Sequence, residues 1–252
     1  MNALCCIFDL DGVLVDTAKY HYLAWKRLAE ELGFDFSEQH NERLKGVSRM
    51  ASLDILLDVG AIKNLPEEEK QNLAAKKNTW YVAYINRMTP DEILPGVLDF
   101  LHQLKAAHVK MTLGSASRNA PLILKRTGLA HFFDAIIDGN AITKAKPDPE
   151  VFLLGAQALG APADRCIVFE DAEAGVEAAL RAGMKCVGVG NPTILRKATM
   201  AIPGFEGLNW QQLNYELRYE EAPPQPSPKG REQNSPSFGG GWGEAVMNLS
   251  II

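Results

Sequence analysis

Cysteine is scarce in this 252-residue chain, and the little there is does not pair. Cys5, Cys6, Cys166 and Cys186 form no C-x-x-C spacing. All four fall in short apolar runs that read as buried strands. Free buried thiols are therefore expected, not a disulfide framework or a zinc site. Long apolar runs are missing as well: none reaches the roughly 18 residues of a membrane-spanning helix. The apolar start Ala3–Phe8 has no basic flank and runs straight into Asp9, unlike a signal peptide. A cytoplasmic location is expected, with no membrane partner. Positive charge is not in excess either, with 26 Lys+Arg against 31 Asp+Glu and a net charge of −5. A nucleic-acid partner is not expected, because binding one usually needs a basic surface to displace counterions. Any phosphate this chain binds must be gripped by a few placed cations. No internal repeat and no long apolar heptad pattern is visible, so a monomer is expected.

What is present is an ordinary globular composition, 46% hydrophobic and 23% charged, on a chain long enough to bury a core unaided. Near-continuous apolar runs at Leu4–Leu10, Lys110–Gly114, Ala135–Ile137, Cys166–Phe169 and Lys185–Val189 read as parallel strands covered on both faces. Helical stretches Val97–Ala107, Ala120–Thr127, Pro149–Leu159 and Glu173–Ala182 lie between them. This alternation predicts an α/β fold with a parallel, Rossmann-like sheet. From Thr17 to Thr89 the pattern changes to helices alone: Ala18–Leu32, with a Trp25/Leu28/Leu32 stripe, then Met50–Val59 and Pro66–Arg87. The expected organisation is a core of residues 1–16 and 90–220 with an inserted all-helical cap domain, 17–89. Residues 221–252 include a stretch dense in Pro, Gly and Ser, which cannot offset its ordering entropy by burial and is expected to be disordered.

The chemistry-bearing residues sit at strand ends. Asp9-Leu10-Asp11-Gly12 follows the first strand. Two carboxylates at i and i+2 leave the sheet on one side, where open α/β sheets bind ligands. Their repulsion calls for a cation, although a strand-end turn would show the same residues. Glu170-Asp171 follows another apolar strand. That pair could simply cap the next helix; together with the first pair it makes four carboxylates at one edge, a donor set suited to Mg²⁺. Gly114-Ser115-Ala116-Ser117-Arg118-Asn119 joins a strand to a helix, which makes it a phosphate site or an ordinary N-cap. Lys146-Pro147-Asp148-Pro149 places one lysine before a Pro-initiated helix.

D-x-D-G, G-S-A-S, K-P-x-P and E-D-A-x-A-G, in this order and strand-end context, resemble the haloacid dehalogenase-like superfamily of phosphotransferases. The helical insertion is similar to that superfamily's C1-type cap. A narrower resemblance, to the β-phosphoglucomutase branch, rests on Asp9–Asp16, Thr17, His21, Trp25, Lys45 to Arg49, Lys77-Asn78 and Ser115–Asn119.

The resemblance implies an aspartyl-phosphate mechanism: Asp9 is the nucleophile and Asp11 the general acid/base. Mg²⁺ is implied between Asp9, the Asp11 backbone carbonyl, Glu170 and Asp171. Ser115, the Ala116 N–H and Lys146 are implied to hold the transferring phosphoryl group, and Ser117 lies in the same loop. Arg49 is implied to anchor the phosphate not being transferred, a task suited to a planar, permanently charged fork. Lys45, Gly46, Val47 and Ser48 match the loop that closes over the sugar. Arg118 and Asn119 match positions touching substrate from the core, and Trp25 is carried with the substrate-binding set. His21, Lys77 and Thr17 match a relay positioning Asp11. From the residues alone, His21 could equally be a satisfied helix histidine and Thr17 a helix cap. Arg118 stands where lysine is commoner in that branch, and the Pro/Gly-rich tail has no counterpart.

The function so implied is a mutase converting β-D-glucose 1-phosphate to glucose 6-phosphate through glucose 1,6-bisphosphate. A phosphatase on sugar phosphates would use the same core motifs without the cap arginine. A binding protein without catalysis would have no evident use for an intact Asp9 and Asp11.

Overall fold

In a computed structural model the described residues are 5–44 and 47–219. The sheet has six strands in the order β3-β2-β1-β4-β5-β6, with every neighbouring pair parallel. The strands are β1 (Cys5–Phe8), β2 (Lys110–Gly114), β3 (Ala135–Ile137), β4 (Cys166–Glu170), β5 (Lys185–Val189) and β6 (Met200–Ile202). The parallel α/β architecture expected from the apolar runs is the one observed. β1 is central, with β2 on one side and β4 on the other.

Alternation along the strands sorts their side chains to two faces. Cys6, Phe8, Met111, Leu113 and Phe169 pack under α5 (Val97–Ala106), α6 (Ala120–Thr127) and α9 (Trp210–Tyr219). Cys5, Ile7, Cys166, Val168 and Cys186 pack under α7 (Glu150–Leu159) and α8 (Glu173–Arg181). Burial on both faces is why these strands read as unbroken apolar runs. Cys5 and Cys6 fall on opposite faces, and all four cysteines are buried and free.

Between β1 and α5 the described chain is helical: α1 (Ala18–Glu31), α2 (Glu38–Glu42), α3 (Arg49–Val59) and α4 (Glu67–Ile85). These helices hold an apolar cluster of their own around Trp25, Leu28, Phe36, Leu53, Leu56 and Leu57. The chain leaves and re-enters at one place. Val15 pairs antiparallel with Ile93, the Leu94 N–H donates to the Leu14 carbonyl at 3.0 Å, and Glu92 takes a hydrogen bond from the Tyr20 hydroxyl at 2.6 Å and an ion pair from Lys19.

Some bounds differ from expectation. β1 stops at Phe8, not Leu10, because the Leu10 carbonyl turns to accept from the Leu14 and Val15 N–H groups at 3.0 and 3.2 Å. α2 and β6 were not anticipated as elements; each is too short, at five and three residues, to show a period. Among the described residues no helix is long and apolar enough to cross a membrane. The expectation of disorder for 221–252 lies outside the described residues.

Candidate active site

Strand register builds the site. Phe8 of β1 pairs with Leu113 of β2 and with Phe169 of β4, and the Phe8 and Phe169 rings stack nearly parallel with centroids 4.7 Å apart. The next residues on each strand, Asp9, Gly114-Ser115 and Glu170, therefore emerge side by side at the carboxyl edge. This is the point where chain order reverses across the sheet, the usual ligand crevice of such folds.

The buried Lys146 ammonium joins them, 2.6 Å from Asp9 Oδ1 and 2.5 Å from Glu170 Oε1. Burial pulls this ammonium down, but the two carboxylates outweigh it and raise it overall, so it stays charged. Asp9 Oδ2 accepts from the Asp11 N–H at 3.1 Å. Glu170 also accepts from the Ala172 N–H at 2.9 Å, and α8 carries no side-chain N-cap, so the Glu170-Asp171 pair is not there to cap that helix.

Asp9, Glu170 and Asp171 each offer a carboxylate oxygen, all within 4.8 Å of one another. Two glycines make room for them. A Cβ on Gly175, in the first turn of α8, would lie 1.8 Å from Glu170 Oε1. A Cβ on Gly12, which sits at φ +81°, would lie 2.1 Å from Asp171 Oδ2. Burial, then Glu170, then Asp9 push the Asp171 carboxyl up to about 8. Burial also raises Glu170, against the pull of Lys146. One lysine does not balance this much acid, and a compact all-oxygen set short of positive charge fits Mg²⁺.

The expected fourth carboxylate does not join. The Asp11 side chain turns toward α1, where Oδ1 accepts from the Thr17 hydroxyl. A backbone carbonyl is the group Asp11 would have to offer a metal. Thr17 is fully buried, and its side chain makes no capping bond to α1, so its hydroxyl serves Asp11 and not the helix. Burial and the neighbouring Asp9 charge lift Asp11 to about 7, partly opposed by Thr17.

Above Asp11, the Lys77 ammonium on α4 lies 3.0 Å from His21 Nδ1 on α1. It also sits 4.5 Å from the Trp25 ring centre and 4.7 Å from that of Tyr81. Burial and then Arg49 bring Lys77 down to about 7, while burial and then Lys77 hold His21 well below its ordinary range. Trp25, expected among substrate-binding residues, is 2% exposed and packs in the helical cluster; it meets the site through Lys77. Arg49 opens α3 behind Ser48, whose hydroxyl caps that helix by accepting from the Ala51 N–H at 3.3 Å. Val47 is exposed beside it, while Lys45 and Gly46 lie outside the described residues.

On the core side, Ser115 is buried and its hydroxyl accepts from the Ser117 N–H at 3.1 Å. The Ser117 hydroxyl accepts from the Asn119 N–H at 3.3 Å. Ala116 is held against Gly139, where a Cβ would come 2.3 Å from the Ala116 carbonyl oxygen. Asn119 begins α6 without capping it; its amide instead crosses to α4 and donates to Asn78 Oδ1 at 3.1 Å. Arg118 is exposed, and its charge adds to burial in lowering Arg49. Among the described residues neither arginine has an ion-pair partner, so two cations lie near each other with no acid assigned to them.

A protein-family model for haloacid dehalogenase-like hydrolases matches residues 4–183, most of the chain. The chain belongs to this family. Among haloacid dehalogenase-like relatives, it is 45% identical over 212 residues to a β-phosphoglucomutase of Bacillus subtilis, covering 83% of this chain and 93% of that protein. It is 33% identical over 181 residues to a phosphorylated carbohydrates phosphatase of Thermotoga maritima, covering 71% and 81%. The crystal structure of β-phosphoglucomutase from Clostridium difficile superposes with a TM-score of 0.82 at 41% identity, covering 86% of this chain and 97% of that one.

Two residues of this haloacid dehalogenase-like site were not singled out from sequence as site residues. Tyr81 lies against His21 and Lys77; its signal was the four-residue step from Lys77 along one helix, which puts both on one face. Gly175 was visible only as the end of E-D-A-x-A-G, and its role depends on Glu170 lying against α8.

Proposed function

We propose that this enzyme is a sugar-phosphate mutase that converts β-D-glucose 1-phosphate to glucose 6-phosphate through bound glucose 1,6-bisphosphate. Asp9 attacks phosphorus and carries the phosphoryl group as an aspartyl phosphate. Asp11 gives a proton to the departing oxygen and later takes one from the attacking hydroxyl. Thr17, His21 and Lys77 position Asp11. Ser115, the Ala116 N–H and Lys146 hold the oxygens of the transferring group, where charge spreads in the transition state. Asp9, Glu170, Asp171 and the Asp11 carbonyl would hold Mg²⁺, which when bound supplies positive charge against the phosphoryl oxygens.

The observation carrying this reading is the second, separate set of cations. Arg49 lies near His21, Lys77 and Tyr81 and near Arg118, neither arginine is paired with an acid among the described residues, and Lys146 is instead engaged by Asp9 and Glu170. A hydrolase releasing phosphate needs one phosphate site; a bisphosphate that turns over needs two. Val47 and Ser48 lead directly into Arg49, and Asn119 follows Arg118 and bonds Asn78 of α4. Lys45 and Gly46 precede Val47 in the sequence. Residues 17–89 act as a cap that excludes water while the aspartyl phosphate waits.

The test supplies purified full-length protein with Mg²⁺, β-glucose 1-phosphate and a trace of glucose 1,6-bisphosphate. Glucose 6-phosphate and inorganic phosphate are followed in one tube, with Asp9→Asn as control. The mutase reading expects rapid glucose 6-phosphate, little free phosphate, and neither from Asp9→Asn. Phosphate release without glucose 6-phosphate would make the enzyme a phosphatase.

A further inference from the structure

Tyr81 carries a polar atom that nothing described so far uses. The residue is 1% exposed, and its hydroxyl is buried without a formed hydrogen bond. Such an oxygen costs stability where phenylalanine would not. The ring packs against the His21 ring, centre to centre at 4.1 Å, and the Lys77 ammonium at 4.7 Å, two groups that contact each other at 3.0 Å, so the direction of its hydroxyl is set by packing. The polar groups near that hydroxyl are Thr17, Asp11 and Arg49. Of these, Thr17 has spent its proton on Asp11 and keeps oxygen lone pairs that no donor fills.

We propose that Tyr81 is a positioning residue whose hydroxyl donates to Thr17 Oγ1, completing a Tyr81–Thr17–Asp11 chain that fixes the Asp11 carboxyl for proton transfer. The inference rests on the reading of Asp11 as the acid/base. A threonine hydroxyl rotates freely unless a donor and an acceptor both engage it. With Tyr81 donating and Asp11 accepting, one orientation satisfies all three buried groups, and each bond strengthens the next. In this scheme the Tyr81 hydroxyl bonds Thr17 and not the substrate or phosphorus, so it acts on the rate of the chemical steps and not on binding.

Tyr81→Phe removes the oxygen and keeps the ring. The expected result in the full-length protein with Mg²⁺ is a kcat lower by about tenfold, a KM for β-glucose 1-phosphate within about twofold, and a melting temperature lower by no more than about 2–4 °C, the cost of one buried hydrogen bond. In a Thr17→Val background, Tyr81→Phe causes no further loss of kcat, because the chain is already cut. Unchanged kcat overturns the proposal, as does a fall in kcat that Tyr81→Phe causes equally in the Thr17→Val background, which would mark an effect independent of Thr17. A rise in KM at constant kcat would put Tyr81 on the substrate and overturn it too. If the unaltered enzyme releases phosphate instead of forming glucose 6-phosphate, the mutase reading fails alone. The same kcat comparison is then made on phosphate release, where Asp11 has the same task.

Discussion

The Lys146 ammonium lies 2.6 Å from Asp9 although 137 positions separate them, and it is buried with Asp9 and Glu170 as its two acidic neighbours. A cation shared between two buried carboxylates holds Asp9, the proposed nucleophile, in place before substrate arrives. Lys146→Met should therefore do more than remove a phosphate ligand, because it leaves two buried carboxylates uncompensated. The expected loss of stability in metal-free buffer is about 3 kcal/mol, read from urea unfolding. Adding Glu170→Gln to that variant should recover part of it, and an unchanged midpoint in Lys146→Met would show that the pair is not coupled.

Acidity ties stability to the metal. Asp171, whose ordinary value is 3.8, is raised to about 8 and Asp11 to about 7, first by burial and then by neighbouring carboxylates. A carboxyl raised in the folded state favours folding while protonated, and that contribution is lost as pH climbs through the raised value. Between about pH 5 and pH 8 the metal-free protein should lose melting temperature. Mg²⁺ binds the deprotonated set, so its stabilising shift should be larger at the upper end of that range. Scanning fluorimetry with and without Mg²⁺ checks this, and an equal shift at both ends would count against the acidic cluster as the binding site.

Gly175→Ala tests the packing of Glu170. The new methyl would fall 1.8 Å from Glu170 Oε1, so the carboxylate must leave its contacts with Lys146 and the Ala172 N–H. A displacement of this size at a reacting centre should lower turnover about 100-fold and stability by about 1–3 kcal/mol, measured by the coupled assay and thermal unfolding. Wild-type turnover in this variant would mean that Glu170 does not need its present position.

Arg49→Ala tests whether the proposed second phosphate site is separate from the one at Lys146. Losing one charge-assisted contact is worth about 1.5–3 kcal/mol, or roughly 10- to 100-fold in kcat/KM for glucose 6-phosphate formation. Phosphate release should change less, because water needs no second phosphate anchor. Equal loss in both products would place Arg49 with the chemistry at Asp9.

The core was legible because burial on both faces writes itself as unbroken apolar runs: β2 and β5 have the bounds read from sequence, as does the partly exposed edge strand β3. β6 was not, since no helix separates it from β5 and the strand–helix alternation that marked the other strands stops there. At the site, Asp9 and Glu170 could be placed from strand ends alone, because register does the rest. Thr17 could not be decided. A threonine before a helix caps it in most chains, and here it serves Asp11 only because the turn at Leu10–Val15 folds Asp11 back against α1. The Asn78–Asn119 contact and the burial of Tyr81 depend on how α4 meets the core, and no local spacing encodes that.

The pairing of Val15 with Ile93 brings the two ends of the helical insertion together at one short ladder. Strand order in the sheet therefore does not depend on how long the intervening segment is or what it contains. A different insert could be spliced at this junction while Asp9, Lys146, Glu170 and Asp171 kept their places. Arg49, Lys77 and Tyr81 would all be exchanged with it, so substrate choice can diverge on this scaffold while the phosphoryl-handling residues stay as they are.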